Sequence, residues 1–144
     1  MEPQPNSENK KIKLDFKESK YATGRRKKSI AKVWLKKGSG NIHVNGKKMS
    51  EYFIKQNLQT SIFRPLTLSK RENEYDVRCS VKGGGLTGQA GAIVHGLSRA
   101  LVLYEPDLKP TLKKENLTTR DSRAVERKKY GRRKARRSFQ FSKR

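Results

Sequence analysis

The sequence has 144 residues, of which 32% are hydrophobic and 34% charged, which predicts one small folded core with extensions and excludes two full domains. Its 36 lysines and arginines against 13 acids give a formal net charge of +23, which predicts a polyanionic partner and favours nucleic acid over a membrane. A single cysteine excludes an intramolecular disulfide, and no segment approaches the roughly 20 apolar residues of a membrane-spanning helix.

The N-terminal part of the chain is polar and is followed by a strand pattern. Residues 1–19 show little apolar periodicity, which predicts a flexible extension, and they have neither a secretory apolar run nor arginines typical of a transit peptide, so we expect a cytoplasmic location. Between residues 28 and 37 apolar and polar residues alternate, as in a half-buried strand. Ile42 and Val44 continue this alternation after a glycine turn, so the two runs are predicted to form a β-hairpin.

The middle of the sequence predicts a strand between two helices. A short helix is predicted near residues 50–56, and Pro65 predicts that no unbroken helix passes through the stretch that follows. Residues 75–81 alternate again as a strand, with Cys79 on its apolar face as a small buried hydrophobe. Over residues 86–104 apolar side chains recur at intervals of three or four, which predicts a long amphipathic helix.

These elements define the expected domain organisation. A hairpin, a short helix, a strand and a long helix predict an α+β two-layer sandwich. We assign residues 1–19 to the flexible extension, residues 20–108 to the folded domain and residues 109–144 to a basic C-terminal extension. Residues 127–144 contain ten basic residues and no acid, so this tail is expected to order only on a partner.

A glycine run lies between the predicted strand and the long helix. Gly83, Gly84 and Gly85 begin a GxGxxG pattern, but the second hydrophobic strand and terminal acid of a dinucleotide-binding unit do not follow. A P-loop is excluded because no Gly-Lys-Ser/Thr closes the run. Glycines at a helix start let the backbone approach an anion, here an RNA phosphate, although a tight turn without a ligand remains the alternative.

The sequence offers no arrangement for catalysis or metal binding. His43 and His95 lack a third ligand or a triad partner at a usable spacing, and no carboxylate pair or activated nucleophile is evident. We therefore predict no enzymatic activity, no metal site and no cofactor.

Two basic runs favour RNA as the partner. The first holds four consecutive cations at residues 25–28, which alone would be interpreted as a solvated entry to the sheet. The second, residues 127–144, is rich in arginine for phosphates and places Tyr130, Phe139 and Phe141 where bases could stack. A histone-like protein indifferent to DNA or RNA is one alternative. A cationic membrane-active tail is the other, but Gly131 and nearly continuous charge leave no apolar face.

Four segments in order resemble one known family. They are YATGRRKKSIAKV from residue 21, GGGLTGQAGAI from residue 83, LTTRDSR from residue 117 and FQFSKR from residue 139. Over about residues 20–144 they are similar to the bacterial-type small-subunit ribosomal protein nine family.

The resemblance implies a fold similar to the ribosomal protein S5 domain 2-like fold, in the head of the small ribosomal subunit, without catalysis. The implied partners are ribosomal RNA (rRNA), neighbouring ribosomal proteins of the head and, through the tail tip, the anticodon stem-loop of peptidyl-site tRNA. The tip residues are Ser142, Lys143 and Arg144. Candidate rRNA-binding residues are Arg25, Arg26, Lys27, Lys28, Gly83, Gly84, Gly85, Thr87, Gln89, Arg120, Arg123, Arg127, Lys128, Lys129, Tyr130, Arg132, Arg133, Lys134, Arg136 and Arg137.

Overall fold

Helices and strands follow one another along most of the chain in the computed structural model, which describes residues 17–143. The predicted flexible extension of residues 1–19 lies outside the described residues except for its last three. The strands are β1 (Lys20–Arg26), β2 (Ser29–Lys37), β3 (Ile42–Val44), β4 (Lys47–Lys48) and β5 (Tyr75–Lys82). The helices are α1 (Met49–Tyr52), α2 (Gln56–Leu68), α3 (Leu86–Tyr104) and α4 (Lys109–Lys114), with a 3-10 turn at Pro106–Leu108.

The five strands form one sheet in the order β1-β2-β5-β3-β4. Neighbours are antiparallel except β3 and β5, which run parallel, so the chain crosses between them through α1 and α2. Buried and accessible residues alternate along β2 and β5 because one face packs against α3 while the other is open. The fold therefore belongs to the mixed α+β class, as the sequence predicted.

The predicted pairing of residues 28–37 with Ile42 and Val44 is wrong. Strand β2 pairs with β1 and β5, and β3 pairs with β5 and β4. The hairpin partner of β2 is β1, which the sequence suggested only as a charged entry to the sheet. The loop after β2 crosses the end of β5, where Asp76 Oδ1 accepts the backbone N–H groups of residues 39, 40 and 41, each at 3.0 Å.

The predicted interruption at Pro65 is also wrong, because α2 continues through that residue to Leu68. Only one turn follows the proline, and Ser69 closes it: its backbone N–H and its hydroxyl both donate to Pro65 O, at 3.2 and 2.8 Å. Ile62 and Leu66 are fully buried, so core packing offsets the hydrogen bond that proline cannot donate.

Of the other three predicted elements, the strand and the long helix are confirmed, whereas the short helix predicted near residues 50–56 is a single turn, α1, that ends at Tyr52. Strand β5 covers residues 75–82, and α3 has the predicted bounds of 86–104. Cys79 is buried, and burial raises the pKa of its thiol to about 12. Beyond residue 108, the side chains of Leu112 and Leu117 are still part of the hydrophobic core.

Strand β1 lies directly on α3. A Cβ atom on Gly24 would stand 1.8 Å from Ala92 O and 2.3 Å from Gly96 N, so backbone touches backbone there. Two side chains of α3 also reach the free edge of β1: the Arg25 N–H donates to His95 Nδ1 at 3.2 Å, and Arg99 donates to Thr23 O at 2.6 Å. This contact fixes the residues that follow β1 relative to the start of α3.

Among the described residues, 17–143, no helix is both long enough and apolar enough to span a membrane.

Candidate nucleic-acid interface

The glycine turn before α3 packs against the turn that joins β1 to β2. Gly83 and Gly84 have positive φ angles of 78° and 63°. A Cβ on Gly83 would lie 2.6 Å from Lys28 O, and one on Gly84 would lie 2.2 Å from Ser29 Oγ. These two glycines are therefore required by the fold itself, and the turn places the exposed Lys27 and Lys28 beside the glycines.

Gly85 differs from its two neighbours. Its φ of −99° and ψ of 172° are open to any residue, and a Cβ there would meet nothing within 4 Å. It is exposed and stands at the N-cap of α3, a helix that has no side-chain cap. No internal contact requires a glycine at this position, whereas an anion approaching the helix start would benefit from the bare backbone.

Gln89 is turned inward, although it was a candidate RNA contact. It is only 9% exposed; its Nε2 donates to Gly83 O at 3.1 Å, and its Oε1 accepts from the Tyr52 hydroxyl at 2.8 Å. Ser29 Oγ donates to the same Gly83 carbonyl at 3.0 Å. Gln89 thus holds the shape of the glycine turn, while Thr87, two residues earlier in α3, remains exposed.

A groove of about 680 Å³ lies between β1, the N-terminal half of α3, α2 and the segment after α4. We call it the basic groove because five arginines and only two acids line it. The arginines are Arg25, Arg26, Arg64, Arg120 and Arg123, and the acids are Glu115 and Asp121. Four of these arginines were sequence candidates, and Thr87 lies on the same wall.

The acids of the groove hold some of its arginines in place. Asp121 forms an ion pair with Arg26 and a second one with Arg123 at 2.8 Å, while Glu115 pairs with Arg64 at 2.6 Å. Sequence reasoning missed Arg64, a single cation on a partly apolar helix, because only the fold brings α2 to the groove. Most of these pairs are partly exposed and add little stability, so their main effect is to orient the guanidinium groups.

His95 lies in the wall of the groove and has a structural role. Burial is the largest cause that lowers the pKa of His95, and the Arg99 and Arg120 charges act in the same direction, against a hydrogen bond with the Thr118 backbone. The imidazole accepts a hydrogen bond from Arg25 N–H, so its neutral form is favoured. His95 thereby links β1 to the segment that leads into the tail.

The C-terminal segment leaves the body at the groove and is almost wholly exposed. Residues 120–143 contain neither helix nor strand. Tyr130 is fully exposed and Phe141 is 85% exposed, so their rings are open to a partner. Glu126 forms ion pairs with Lys129 and, at 3.0 Å, with Arg136, which bends the segment around Gly131.

The other tail candidates stand in the same exposed stretch, apart from the body. The exposed ones are Arg127, Lys128, Arg132, Arg133, Lys134, Arg137, Ser142 and Lys143. Arg144 lies outside the described residues. The structure thus groups the body candidates into the glycine turn and the basic groove, and it does not bring the tail candidates onto either.

A family model described as ribosomal protein S9/S16 matches residues 24–144 of this sequence. The chain belongs to the ribosomal protein S9/S16 family. The match covers the glycine turn, the basic groove and the tail, and it confirms the resemblance found in the sequence. As a member of this family the chain is a ribosomal protein of the small subunit, and the family is typically structural rather than enzymatic. Within residues 17–143, no three His, Cys, Asp or Glu side chains are grouped so as to hold a metal ion.

Proposed function

We propose that this chain binds rRNA in the head of the small subunit through the glycine turn, the basic groove and the tail. We further propose that Ser142, Lys143 and Arg144 at the tail tip contact the anticodon stem-loop of peptidyl-site tRNA. The role is structural and electrostatic: cations neutralise crowded phosphates during assembly, and the tip adds a modest hold on tRNA. Neighbouring proteins of the head are further expected partners.

One observation carries this proposal: the chain passes from the basic groove directly into the exposed basic tail. Arg120 and Arg123 line the groove, and the exposed basic tail begins four positions later, at Arg127, so cations continue along the chain from the body into the tail. Like charges of this density repel one another, and binding along a phosphate backbone relieves the repulsion. Arginine presents two parallel N–H groups to a phosphate, which suits a groove lined by arginines.

Gly85 provides the sharpest test of the body contact. In a Gly85→Val variant the side chain would enter open space at a backbone conformation that valine prefers, so folding should be preserved. It would however keep a phosphate away from the helix start, and we expect binding to small-subunit rRNA to weaken about tenfold, as for one or two charge-assisted hydrogen bonds. Gly84→Val is less informative, because the clash with Ser29 would disturb the fold as well.

The measurement is the affinity of the full chain for small-subunit rRNA across a salt series, with Thr111→Val on α4 as the exposed control. Equal affinities for Gly85→Val and the wild type would contradict a phosphate contact at the helix start. Equal affinities for rRNA and for double-stranded DNA of the same length would favour the histone-like alternative.

Deleting residues 142–144 tests the tRNA contact separately. The truncated protein should still enter the small subunit, while peptidyl-site tRNA should dissociate faster and with a salt dependence smaller by about 0.7 in slope for each lost phosphate contact. Protein occupancy is measured in each preparation. Identical dissociation rates and slopes at full occupancy would leave the tail tip with an assembly role alone.

A further inference from the structure

The face of the sheet opposite α3 carries a row of side chains that crosses all five strands. The register pairs Tyr21 with Trp34, Trp34 with Arg78, Arg78 with His43, and His43 with Lys48. Directly paired residues project from the same face of a sheet. Two aromatic rings, a guanidinium, an imidazole and an ammonium group therefore stand side by side on one surface.

The first three members of this row form a contiguous cluster, in which the ring planes of Tyr21 and Trp34 are tilted by 42° to each other. The ring centroids of Tyr21 and Trp34 are 5.3 Å apart, and the Arg78 guanidinium carbon lies 5.4 Å from the centroid of the Trp34 ring. The Tyr21 hydroxyl is 2.9 Å from Thr23 Oγ1, which fixes the orientation of the phenol. Tyr21 is 45% exposed and Arg78 is also exposed, so both end members of the cluster are accessible to solvent.

Unpaired positive charge surrounds this cluster. The register places Lys32, Lys36, Lys48 and Lys82 on the same face as Arg78. None of these five cations forms an ion pair with any residue in the described range 17–143. The acid next to them, Asp76, already accepts three backbone N–H groups from the loop after β2.

We propose that this open sheet face, defined by Tyr21, Trp34, Arg78 and the flanking lysines, is a second RNA-binding surface for unpaired bases. One base stacks on the free side of Tyr21 and another on the Arg78 guanidinium, while the lysines contact the adjoining phosphates. Aromatic rings and arginine planes bind unpaired bases of any sequence by stacking, and a flanking line of cations follows the backbone. The Trp34 ring already orients Arg78, which lowers the entropy lost on binding.

The inference rests on the proposed RNA-binding function and adds a surface to it. The basic groove and the glycine turn lie along α3, on the other side of the sheet. An RNA segment on the open face would leave both of those sites free, so the small domain could hold two RNA segments with the sheet between them.

Trp34 makes the proposal directly measurable because it is the only tryptophan in the sequence. Its fluorescence is recorded while the full chain is titrated with single-stranded oligoadenylate of about 12 nucleotides, and the anisotropy of a dye-labelled copy of the same RNA reports binding anywhere on the protein. The wild type should show both a change in Trp34 emission and a rise in anisotropy. Tyr21→Leu and Arg78→Lys should shift the midpoint of the Trp34 signal to about tenfold higher RNA concentration, as for one lost stacking contact.

Matched controls separate this face from the rest of the molecule. Leu103→Ala removes an exposed apolar side chain near the C-terminal end of α3, outside the basic groove and across the sheet from the open face, and should leave the Trp34 change intact. Polyphosphate, which has charge but no bases, should not reproduce the Trp34 change. Circular dichroism of each variant verifies that the fold is retained.

Four results would overturn the proposal. If anisotropy rises while Trp34 emission stays constant, RNA binds only through the groove and tail, and the proposed function survives without this surface. If neither signal changes, RNA binding by the chain fails altogether. If polyphosphate gives the same Trp34 change, the face binds polyanions generally. If Trp34 in the free chain is already shielded from a neutral quencher, the face is not open to RNA.

Discussion

A methyl group at Gly24 should destabilise the protein strongly, because β1 and α3 touch there through their backbones. In a Gly24→Ala variant the added carbon would stand 1.8 Å from Ala92 O and 2.3 Å from Gly96 N. Neither atom belongs to a flexible side chain that could turn away. The strand and the helix must therefore separate until the first gap approaches 3.4 Å, the start of ordinary contact.

The size of the effect follows from what this separation disturbs. Overpacking a close-packed interior costs about 1–3 kcal/mol. Moving β1 also stretches its hydrogen bonds with His95 and Arg99, each worth up to about 1 kcal/mol. We expect the free energy of unfolding to fall by about 3 kcal/mol, out of the 5–15 kcal/mol typical of a domain (about 12 °C or more in melting temperature).

Urea denaturation of the full chain, followed by circular dichroism and by Trp34 fluorescence, measures this loss. Gly85→Ala is the matched control, because it adds the same methyl group where nothing lies within 4 Å at a φ of −99°. The control should unfold close to the wild-type midpoint, because the restriction of the unfolded chain by alanine offsets the preference for glycine at the N-cap of α3. An unchanged midpoint and slope for Gly24→Ala would refute the close contact of β1 with α3.

Three further predictions concern protonation and mobility. The pKa of His95 is lowered in the fold, so the unfolded chain binds the proton more readily and the free energy of unfolding should decrease as the pH falls below about 6.5. Urea denaturation at a series of pH values measures this decrease, and a His95→Gln variant whose free energy of unfolding changes with pH as steeply as that of the wild type would contradict it. The Tyr75 hydroxyl donates to Glu105 at 2.5 Å, and this bond, with Arg71, lowers the pKa of Glu105, so Glu105→Gln should reduce the free energy of unfolding by about 1 kcal/mol at neutral pH. That difference in the free energy of unfolding should vanish once acid protonates Glu105 in the wild type. A constant difference down to pH 2 would contradict a stabilising role of the ionised Glu105 carboxylate. In the free protein, backbone NMR order parameters should drop below about 0.6 from residue 127 onward, whereas values near those of α3 would mean that the tail is ordered without RNA.

The sequence predicted the elements whose burial follows a simple period. Strand β5 alternates without interruption and α3 has an unbroken apolar stripe, so both were found with nearly correct bounds. Strand β1 was missed because its contact residue is Gly24, which has no side chain to mark a buried face. Gly24 is buried by α3, which lies about 70 residues further along the chain. The periodicity of a short stretch of sequence cannot indicate such a long-range contact.

The candidate site was predictable in composition but not in arrangement. The glycine run and the basic segments were evident as residue types, yet only the fold distinguishes Gly83 and Gly84, which the β1–β2 turn requires, from the open Gly85. Gln89 lies one helical turn into α3, and no local pattern shows that Tyr52 and Gly83 engage its amide. The row from Tyr21 to Lys48 depends on which strands pair and in what register. The wrongly predicted hairpin would have placed different residues beside one another.

Both outer edges of the sheet are poor templates for another strand. At one edge β4 has only two residues, both lysines, and at the other His95 and Arg99 occupy hydrogen-bonding groups in the middle of β1. Unprotected edges let sheets of separate molecules join and aggregate, and short lysine-bearing or covered edges prevent this. A newly synthesised ribosomal protein spends time free in solution before it is incorporated, and during that interval this chain should remain monomeric without a partner to shield its sheet.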